Sequence, residues 1–310
     1  MAWQNLLISN PARLSLKNRQ LRCEQESGEV NLALEDIVSV VLESPQITLT
    51  SALMTACAEE NIAIITCDEK HTPNGLFISF LPHSRQAGML RAQIAWSKPF
   101  TKRLWQLVIK QKITNQAAAL KLCGREHARL TKLTNEVDSG DSKNCEAQAA
   151  RLYFNVLFDG VNHDVFKRHG EDLPNSALNY GYAILRAAIA RELVQFGFIT
   201  ALGIHHCSEL NAFNLADDLI EPFRPFVDTY VRLNGIGQQV DTQEQGLLLA
   251  DRASLMQILQ LACLLGRETH TILHAIHLTV KSLSTATQQA KADKLLLPTM
   301  PREFGIKVMS

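Results

Sequence analysis

Hydrophobic and polar residues alternate through the first part of the chain, and this is the period of β-strands. Polar turns interrupt the alternation, so the pattern predicts strands paired in hairpins. Mainly apolar runs at 37–42 and 62–67 predict two buried strands, with a short helix expected between them at 51–60. We therefore predict a small strand-rich N-terminal domain over residues 1–82.

Beyond Pro82 the apolar positions recur every three or four residues, which is the period of α-helices. This pattern predicts an all-α domain over residues 83–310, so the expected fold class is α+β. Helices are expected at 86–96, at 100–122, from about 144 onward, and at 176–196, 252–265 and 268–284.

Imidazole and carboxylate side chains are concentrated in the stretch GIHHCSELNAFNLADDLIEPFRPFVD at 203–228. Asp218 and Glu221 are three positions apart, so both would project from one face of a helix. Together with His205 or His206 they offer the nitrogen and oxygen donors that suit Mg2+ or Mn2+. On this stretch alone, a polar helix end with solvated acids explains the pattern equally well.

Charge is segregated along the chain although the net charge is zero, with 31 basic and 31 acidic residues. The block from Lys70 to Arg125 contains basic residues but no Asp or Glu. Such a block favours a nucleic-acid surface over the alternative, neutralisation of the acidic remainder within the fold. Trp96 and Trp105 lie in this block, and core packing is the role predicted for them. The candidate DNA-contacting residues are Arg85, Lys98, Lys102, Arg103, Lys110 and Lys112.

Several other classes of site are not indicated. The seven cysteines are scattered without a CxxC pair, which argues against a zinc knuckle or a disulfide framework and indicates the reducing cytoplasm. There is no signal peptide, no apolar run of membrane-spanning length, no phosphate-binding glycine loop and no GxSxG elbow. His270, His274 and His277 have helical spacing, but we predict packing or surface roles for them rather than zinc binding. Cys207 is poorly placed to use its neighbour His206 as a base.

Three motifs together resemble a known family. They are EAQAARLYF at 146–154, NYGYAILRAAIARELVQFGF at 179–198 and the 203–228 stretch. They resemble the universal integrase-endonuclease of CRISPR adaptation systems, which inserts new spacers into the CRISPR array. HSRQ at 83–86 and the segment 97–120 resemble its type II branch, which accompanies an RNA-guided effector nuclease. The resemblance covers most of residues 1–290.

The resemblance implies an architecture and a set of partners. The N-terminal domain would be β-sandwich-like and would mediate a homodimer, and the C-terminal domain would be helical. The substrates would be double-stranded DNA, both the spacer precursor and the CRISPR repeat. A small dimeric ferredoxin-like protein would complete the adaptation complex, with the type II effector machinery as a further candidate partner.

The resemblance also implies a metal site. Glu146, His206 and Glu221 match the family's ligands for Mg2+ or Mn2+, and Asp218 is a nearby acid. The doubled histidine leaves the role of His205 open, and Glu146-Ala147 replaces the family's common Glu-Gly. The implied reaction is attack of a DNA 3′-hydroxyl on a phosphodiester. The alternatives are a metal-dependent nuclease without an integrase role and a non-catalytic DNA-binding scaffold.

Overall fold

The computed structural model describes residues 4–80, 86–159, 166–168, 170, 172–238 and 246–305. Arg85, and with it the first three residues of HSRQ, lies outside the described residues.

The N-terminal part folds into two four-stranded sheets and one helix. The first sheet has the order β1-β5-β7-β8, with β1, β5 and β7 parallel and β8 antiparallel, and the second has the order β4-β3-β2-β6. The elements are β1 (Gln4–Ile8), β2 (Ala12–Lys17), β3 (Gln20–Gln25), β4 (Gly28–Ala33), β5 (Ile37–Leu42), β6 (Ile47–Leu49), α1 (Ser51–Glu59), β7 (Ala63–Cys67) and β8 (Pro73–Phe77).

Strand β5 is buried on both faces, which explains why five of its six residues are apolar. Ile37 and Val40 join a hydrophobic cluster shared by the two sheets and α1. Val38 and Val41 point the other way, into the large core of the helical part. The predicted buried strand is confirmed, and the first sheet is the layer on which the helices pack.

The rest of the chain is mainly helical, so the predicted α+β class is confirmed. Its helices are α2 (Gln86–Ile94), α3 (Lys98–Leu122), α4 (Ala128–Glu136), α5 (Cys145–Leu157), α6 (Leu173–Gln195), α7 (Asn214–Ile220), α8 (Arg224–Asn234), α9 (Leu249–Leu255) and α10 (Ile272–Gln289). Helix α3 packs against α4, α5, α7 and α8, and α6 packs against α7, α8 and α10. Within the described ranges, no helix has both the length and the apolar character needed to cross a membrane.

The prediction of an all-α C-terminal domain is wrong at one place. Ala262–Leu265 (β9) and Glu268–Thr271 (β10) form an antiparallel hairpin where helices were expected at 252–265 and 268–284. Gly266 takes a left-handed φ of 66° in the two-residue turn, a conformation that glycine adopts without strain. A short apolar run has no periodicity that separates a strand from a buried helix, and this is why the pattern misled.

A buried polar junction joins the first sheet to the helices. Glu43 follows β5 and is 3% exposed, and its Oε1 accepts a hydrogen bond of 3.0 Å from the Tyr180 hydroxyl. The same oxygen lies 2.9 Å from Nε of Arg252, which is 2% exposed. Buried charges are stable only when paired, so this contact fixes α6 and α9 against the sheet.

Candidate active site

A cleft of about 550 Å³ opens between α3, α5, α6 and the segment that joins α7 to α8. The three predicted ligands, which come from distant parts of the sequence, all line it. The charged residues of its wall are Lys112, Glu146, Arg151, Arg168, His206, Glu221, Arg224 and Asp228. Acidic and basic side chains therefore lie together around a space that is large enough for a phosphodiester group.

Glu146 is held in the first turn of α5 by an aspartate cap. The Asp141 carboxylate accepts hydrogen bonds from the backbone N–H groups of Cys145, at 2.9 Å, and Glu146, at 3.0 Å. These are two of the backbone donors that a helix start leaves without intrahelical partners. The Glu146 side chain remains 28% exposed and faces the cleft, where a ligand can reach it.

Glu221 ends α7 and is almost fully buried, with a side chain 6% exposed. Its Oε1 accepts a hydrogen bond of 2.8 Å from Nε of Arg224, and its Oε2 lies 2.5 Å from Nζ of Lys112. Burial alone would raise the pKa of Glu221, but the charges of Arg224 and Lys112 lower that pKa to about 2. The carboxylate is therefore ionised at all physiological pH values.

His206 is held by Asp218 on a loop that folds back over α7. Its Nδ1 lies 2.8 Å from Asp218 Oδ1, and the same carboxylate accepts hydrogen bonds from the backbone N–H groups of Ile204, His205 and His206. The hydrogen bond to Asp218 raises the pKa of His206 above its usual range. With Nδ1 engaged, Nε2 is the ring nitrogen left for a ligand in the cleft.

Asp218 is therefore a positioning group rather than an open ligand. It is 0% exposed, and its two oxygens are occupied by three backbone donors and an imidazole. Gly203 makes this arrangement sterically feasible, because a Cβ atom there would lie 2.3 Å from the His206 carbonyl oxygen and 2.7 Å from Asp218 Oδ2.

The two adjacent histidines point to different places. His205 stacks on Trp105, with ring centroids 4.2 Å apart and planes at 4°, and it is not among the residues that line the cleft. Trp105 is 2% exposed, which agrees with the packing role predicted for it, and Trp96 contacts Phe100 and Phe198. Of the pair, His206 is the one that faces Glu146 and Glu221 across the cleft.

Lys112 does not lie on the exposed basic surface where a DNA-contacting residue was expected. Lys112 is 8% exposed, and its ammonium group lies 2.6 Å from Glu146 Oε1 and 2.5 Å from Glu221 Oε2. A signal was present in the sequence: Lys112 follows Val108 by four positions and Ile109 by three, which places it on the buried face of α3. Of the other candidates, Lys98, Lys102 and Arg103 are exposed and Lys110 is half-buried.

The donor set fits a divalent cation, because two carboxylates already share one positive charge at this point. Hard cations such as Mg2+ take oxygen ligands, and imidazole is a common partner for Mn2+. In the described part of the chain, no group of three or more His, Cys, Asp or Glu side chains is arranged so that it could hold a metal ion. A site built from Glu146, His206 and Glu221 together therefore stays a prediction.

A second polar cluster lies in the wall of the cleft, and sequence reasoning did not find it. The Tyr182 hydroxyl donates to Asp228 Oδ1, and the guanidinium groups of Arg224 and Arg168 lie 4.5 and 5.2 Å from the centre of the Tyr182 ring. Burial raises the pKa of Asp228 to about 6, although the hydrogen bond from Tyr182 opposes the shift. No local motif marks the cluster, since its members come from three separate segments.

Two sequence comparisons identify the family. A family model described as "CRISPR associated protein Cas1" matches residues 6–254. A protein named CRISPR-associated endonuclease Cas1, from Neisseria meningitidis serogroup C, is 40% identical over 305 residues, which is 96% of either chain. The chain belongs to the Cas1 family. The endonuclease and integrase class expected from the sequence motifs is thereby confirmed at the level of the family.

A more distant relative and two solved structures are also similar to this Cas1-family chain. CRISPR-associated endonuclease Cas1 1 of Pyrobaculum aerophilum is 28% identical over 226 residues, covering 67% of this chain and 74% of its own. A solved casposase bound to integration product superimposes with a TM-score of 0.76 at 16% identity, covering 93% and 92% of the two chains. A CAS1 protein from Thermotoga maritima gives 0.74 at 16% identity, covering 92% and 97%.

A chain of a solved Cas6-RT-Cas1–Cas2 complex also shares the fold. It superimposes with a TM-score of 0.72 at 21% identity, and the match covers 97% of this chain and 36% of that one.

The histidines of the C-terminal segment lie apart from the cleft of this Cas1-family chain. His277 contacts Glu192 at 3.0 Å, and the rings of His270 and His274 lie 5.0 Å apart. Their contacts are those of packed side chains, and within the described ranges they form no metal-binding group. The predicted packing or surface role agrees with this placement.

Replacing Asp228 by Asn is expected to stabilise the protein more at about pH 7.5 than at about pH 5. The pKa of Asp228 is about 6 in the folded chain and lower in the unfolded chain. The free energy of unfolding of the wild type therefore falls as pH rises towards 6, because Asp228 ionises more readily in the unfolded chain. Asparagine still accepts the Tyr182 hydrogen bond but never ionises. The stability difference between variant and wild type should grow by about 1 to 2 kcal/mol over this pH interval.

Chemical denaturation at the two pH values measures the difference. The control is Asp293→Asn, at an exposed position, which should show no such growth. A constant difference between Asp228→Asn and wild type would contradict the assignment of a buried carboxyl that protonates near pH 6.

Proposed function

We propose that this Cas1-family chain inserts spacer DNA into a CRISPR array by metal-dependent transesterification. The observation that carries the proposal is the convergence of Glu146 and Glu221 on one cationic point in a cleft that His206 also lines. These residues come from three elements, and only the fold brings them together. The same site acting with water in place of a 3′-hydroxyl would give nuclease activity.

The reaction joins one phosphodiester and breaks another. The 3′-oxygen of the spacer precursor bonds to phosphorus at the repeat boundary, its proton is released, and the 3′-oxygen of the cut strand leaves and is protonated. Glu146, His206 and Glu221 would hold Mg2+ or Mn2+, which when bound acts as a Lewis acid and as a template for the reacting oxygens.

The surrounding residues orient the predicted metal ligands and neutralise charge in the cleft. Asp218 fixes the ring of His206 so that one tautomer faces the cleft, and Arg224 keeps Glu221 ionised. The guanidinium groups of Arg151 and Arg168 lie in the wall of the cleft, where they can bind non-bridging phosphate oxygens.

A strand-transfer assay tests the proposal and separates it from its alternatives. The purified protein is mixed with a short duplex that has free 3′-hydroxyls and a plasmid that carries a repeat, with Mg2+, with Mn2+ or with a chelator. Metal-dependent joining of the duplex to the plasmid supports integration. Cleavage without joining indicates a nuclease without integrase role, and binding without either reaction indicates a scaffold.

The partners proposed for the chain follow from the family. A small dimeric ferredoxin-like protein would join the adaptation complex, and the similarity to a chain in a complex named with Cas1 and Cas2 supports such an assembly. We also propose that the chain belongs to the type II branch and associates with its effector machinery. Both proposals rest on the motifs at 83–86 and 97–120. Location in the cytoplasm stays a prediction based on the scattered cysteines.

We expect a homodimer formed through the N-terminal domain, residues 1–82. Strand β4 is at the edge of its sheet and exposes Val30 by 56%, while Leu16 on β2 is 37% exposed. An exposed apolar edge strand offers unpaired backbone groups and apolar surface to a second copy. Light scattering should give twice the chain mass for the wild type and a lower mass for Val30→Lys. A wild-type monomer at micromolar concentration would rule out this assembly.

Duplex binding is expected to depend on the start of α3. Lys98, Lys102 and Arg103 are exposed there, and each phosphate contact releases counterions. Replacing all three by Glu should weaken duplex binding. The negative slope of log K against log salt should become less steep, by about 0.9 for each phosphate contact that is lost. The matched control replaces the exposed Lys281, Lys291 and Lys294 by Glu, an equal change of charge outside the basic block.

Filter binding or fluorescence anisotropy over a salt series gives the slope. An unchanged slope in the α3 variant, or an equal loss in the control, would show that this surface does not bind the phosphates.

A further inference from the structure

Lys112 occupies the position in the cleft where a metal ion would be held. Its Nζ lies 2.6 Å from Glu146 Oε1 and 2.5 Å from Glu221 Oε2, in the middle of α3. Its side chain is only 10% exposed, so solvent screens these contacts weakly. The structure thus contains a cation of its own between the two carboxylates.

The ammonium group stabilises an arrangement that would otherwise be unfavourable. Without it, Glu221 would keep Arg224 as a counter-ion, but Glu146 and Glu221 would be two converging acids in a partly dry cleft. Like charges at such a separation destabilise one another.

A divalent ion and this ammonium group cannot use the same oxygens at once. Oxygen ligands of Mg2+ lie at about 2.0–2.1 Å and those of other hard cations at up to about 2.6 Å, which is the range where Nζ now lies. Two positive charges at that separation would also repel strongly inside the protein. Binding of the metal therefore requires that the Lys112 ammonium leave both Glu146 and Glu221.

We propose that Lys112 is a built-in counter-ion that holds Glu146 and Glu221 in place before metal arrives and that metal must displace. The proposal rests on the metal site of the proposed function and goes beyond it, because it makes metal loading an exchange of cations. A competitor that occupies the site reduces the apparent affinity for the incoming ligand to the intrinsic affinity multiplied by the fraction of the protein left unblocked. Lys112 is thus a positioning residue, and it sets how much free metal the enzyme needs.

The test compares wild type, Lys112→Met and Lys121→Met without DNA. Methionine keeps the apolar stem and removes the charge, and Lys121 is an exposed lysine on the same helix that serves as the control. Mn2+ binding is measured by calorimetry, and melting temperatures are measured in chelator and in saturating Mn2+.

Lys112→Met should bind Mn2+ more tightly than wild type by about tenfold, within the usual range of coupling between two ligands. In chelator it should melt several degrees lower than wild type, because the carboxylates lose their shared counter-ion, and saturating Mn2+ should close most of that gap. Lys121→Met should match wild type in both measurements.

Equal or weaker Mn2+ binding by a folded Lys112→Met would overturn the proposal while leaving the metal site intact. If neither wild type nor folded Lys112→Met binds Mn2+, the metal site itself is wrong, and the proposed function fails together with this inference. If Lys112→Met does not fold, Lys112→Arg decides the matter. The planar guanidinium of arginine should pair with the carboxylates more firmly and weaken Mn2+ binding. Unchanged or tighter Mn2+ binding by this variant would contradict the displacement of residue 112 by metal.

Discussion

Replacing Glu146, His206 or Glu221 by Ala is expected to lower strand transfer by about 10³-fold or more in each case. A metal ion supplies several kcal/mol of transition-state charge stabilisation, and each 1.36 kcal/mol corresponds to about tenfold in rate. These residues line one cleft, so each removal should disable the same site. His205→Ala should be far milder, because the His205 ring stacks on Trp105 outside the cleft.

The measurement is the metal-dependent joining assay on the four single variants, with DNA binding and melting temperatures determined alongside. Full activity in Glu146→Ala, or equal losses from His205→Ala and His206→Ala, would overturn the assignment. Melting temperatures carry separate information: Glu221 pairs with both Lys112 and Arg224, so its removal leaves buried positive charge and should destabilise the fold by about 3–5 kcal/mol. Glu221→Gln, which keeps the shape, tests whether the activity loss depends on that destabilisation.

Gly203→Ala should also impair catalysis strongly, although residue 203 carries no reactive group. The added Cβ would lie 2.3 Å from the backbone oxygen of His206, so the loop must move away from Asp218. The Asp218 carboxylate would then be buried with fewer donors, at a cost of about 1–3 kcal/mol for each polar group left unsatisfied. Loss of a contact that orients a metal ligand typically costs about 10- to 100-fold in activity or metal affinity.

The matched control is Gly88→Ala in α2, where a Cβ atom meets nothing within 4 Å. That variant should keep wild-type activity and gain slightly in stability, because alanine favours helices over glycine. Joining activity, Mn2+ affinity and melting temperature are measured for both variants. Wild-type activity in Gly203→Ala would show that the orientation of His206 does not depend on this turn.

The sequence predicts the strands and long helices well because their patterns are local. The buried run at 37–42 and the helix near 100–122 each show their own period, and the structure places β5 and α3 there. The β9–β10 hairpin was missed because its strands are too short for a period to be visible. The turn at Gly266 was the better signal, since glycine followed by a polar residue is typical of a two-residue hairpin turn.

Part of the candidate active site was also predictable, but from resemblance to a family rather than from a local pattern. Spacing alone could not bring Glu146 to Glu221, and only resemblance to a family joined them before the fold was known. Asp218 was expected beside the predicted metal ligands, and it does contact His206, but its four hydrogen bonds depend on how the 203–206 loop turns, which no pattern encodes. Lys112 was assigned to the DNA surface because its charge was counted with the basic block, whereas its position on the helix marks it as buried.

The Glu43 junction has a consequence for the order in which the chain matures. Glu43 belongs to the first sheet, whose strands leave the ribosome early, whereas its partner Arg252 is synthesised when most of the chain is already made. Until Arg252 and Tyr180 arrive, the helix-facing side of the sheet and the Glu43 carboxylate stay in water. The junction is therefore completed only after synthesis of α9, and a chain truncated before residue 252 leaves the buried Glu43 carboxylate without its arginine counter-ion.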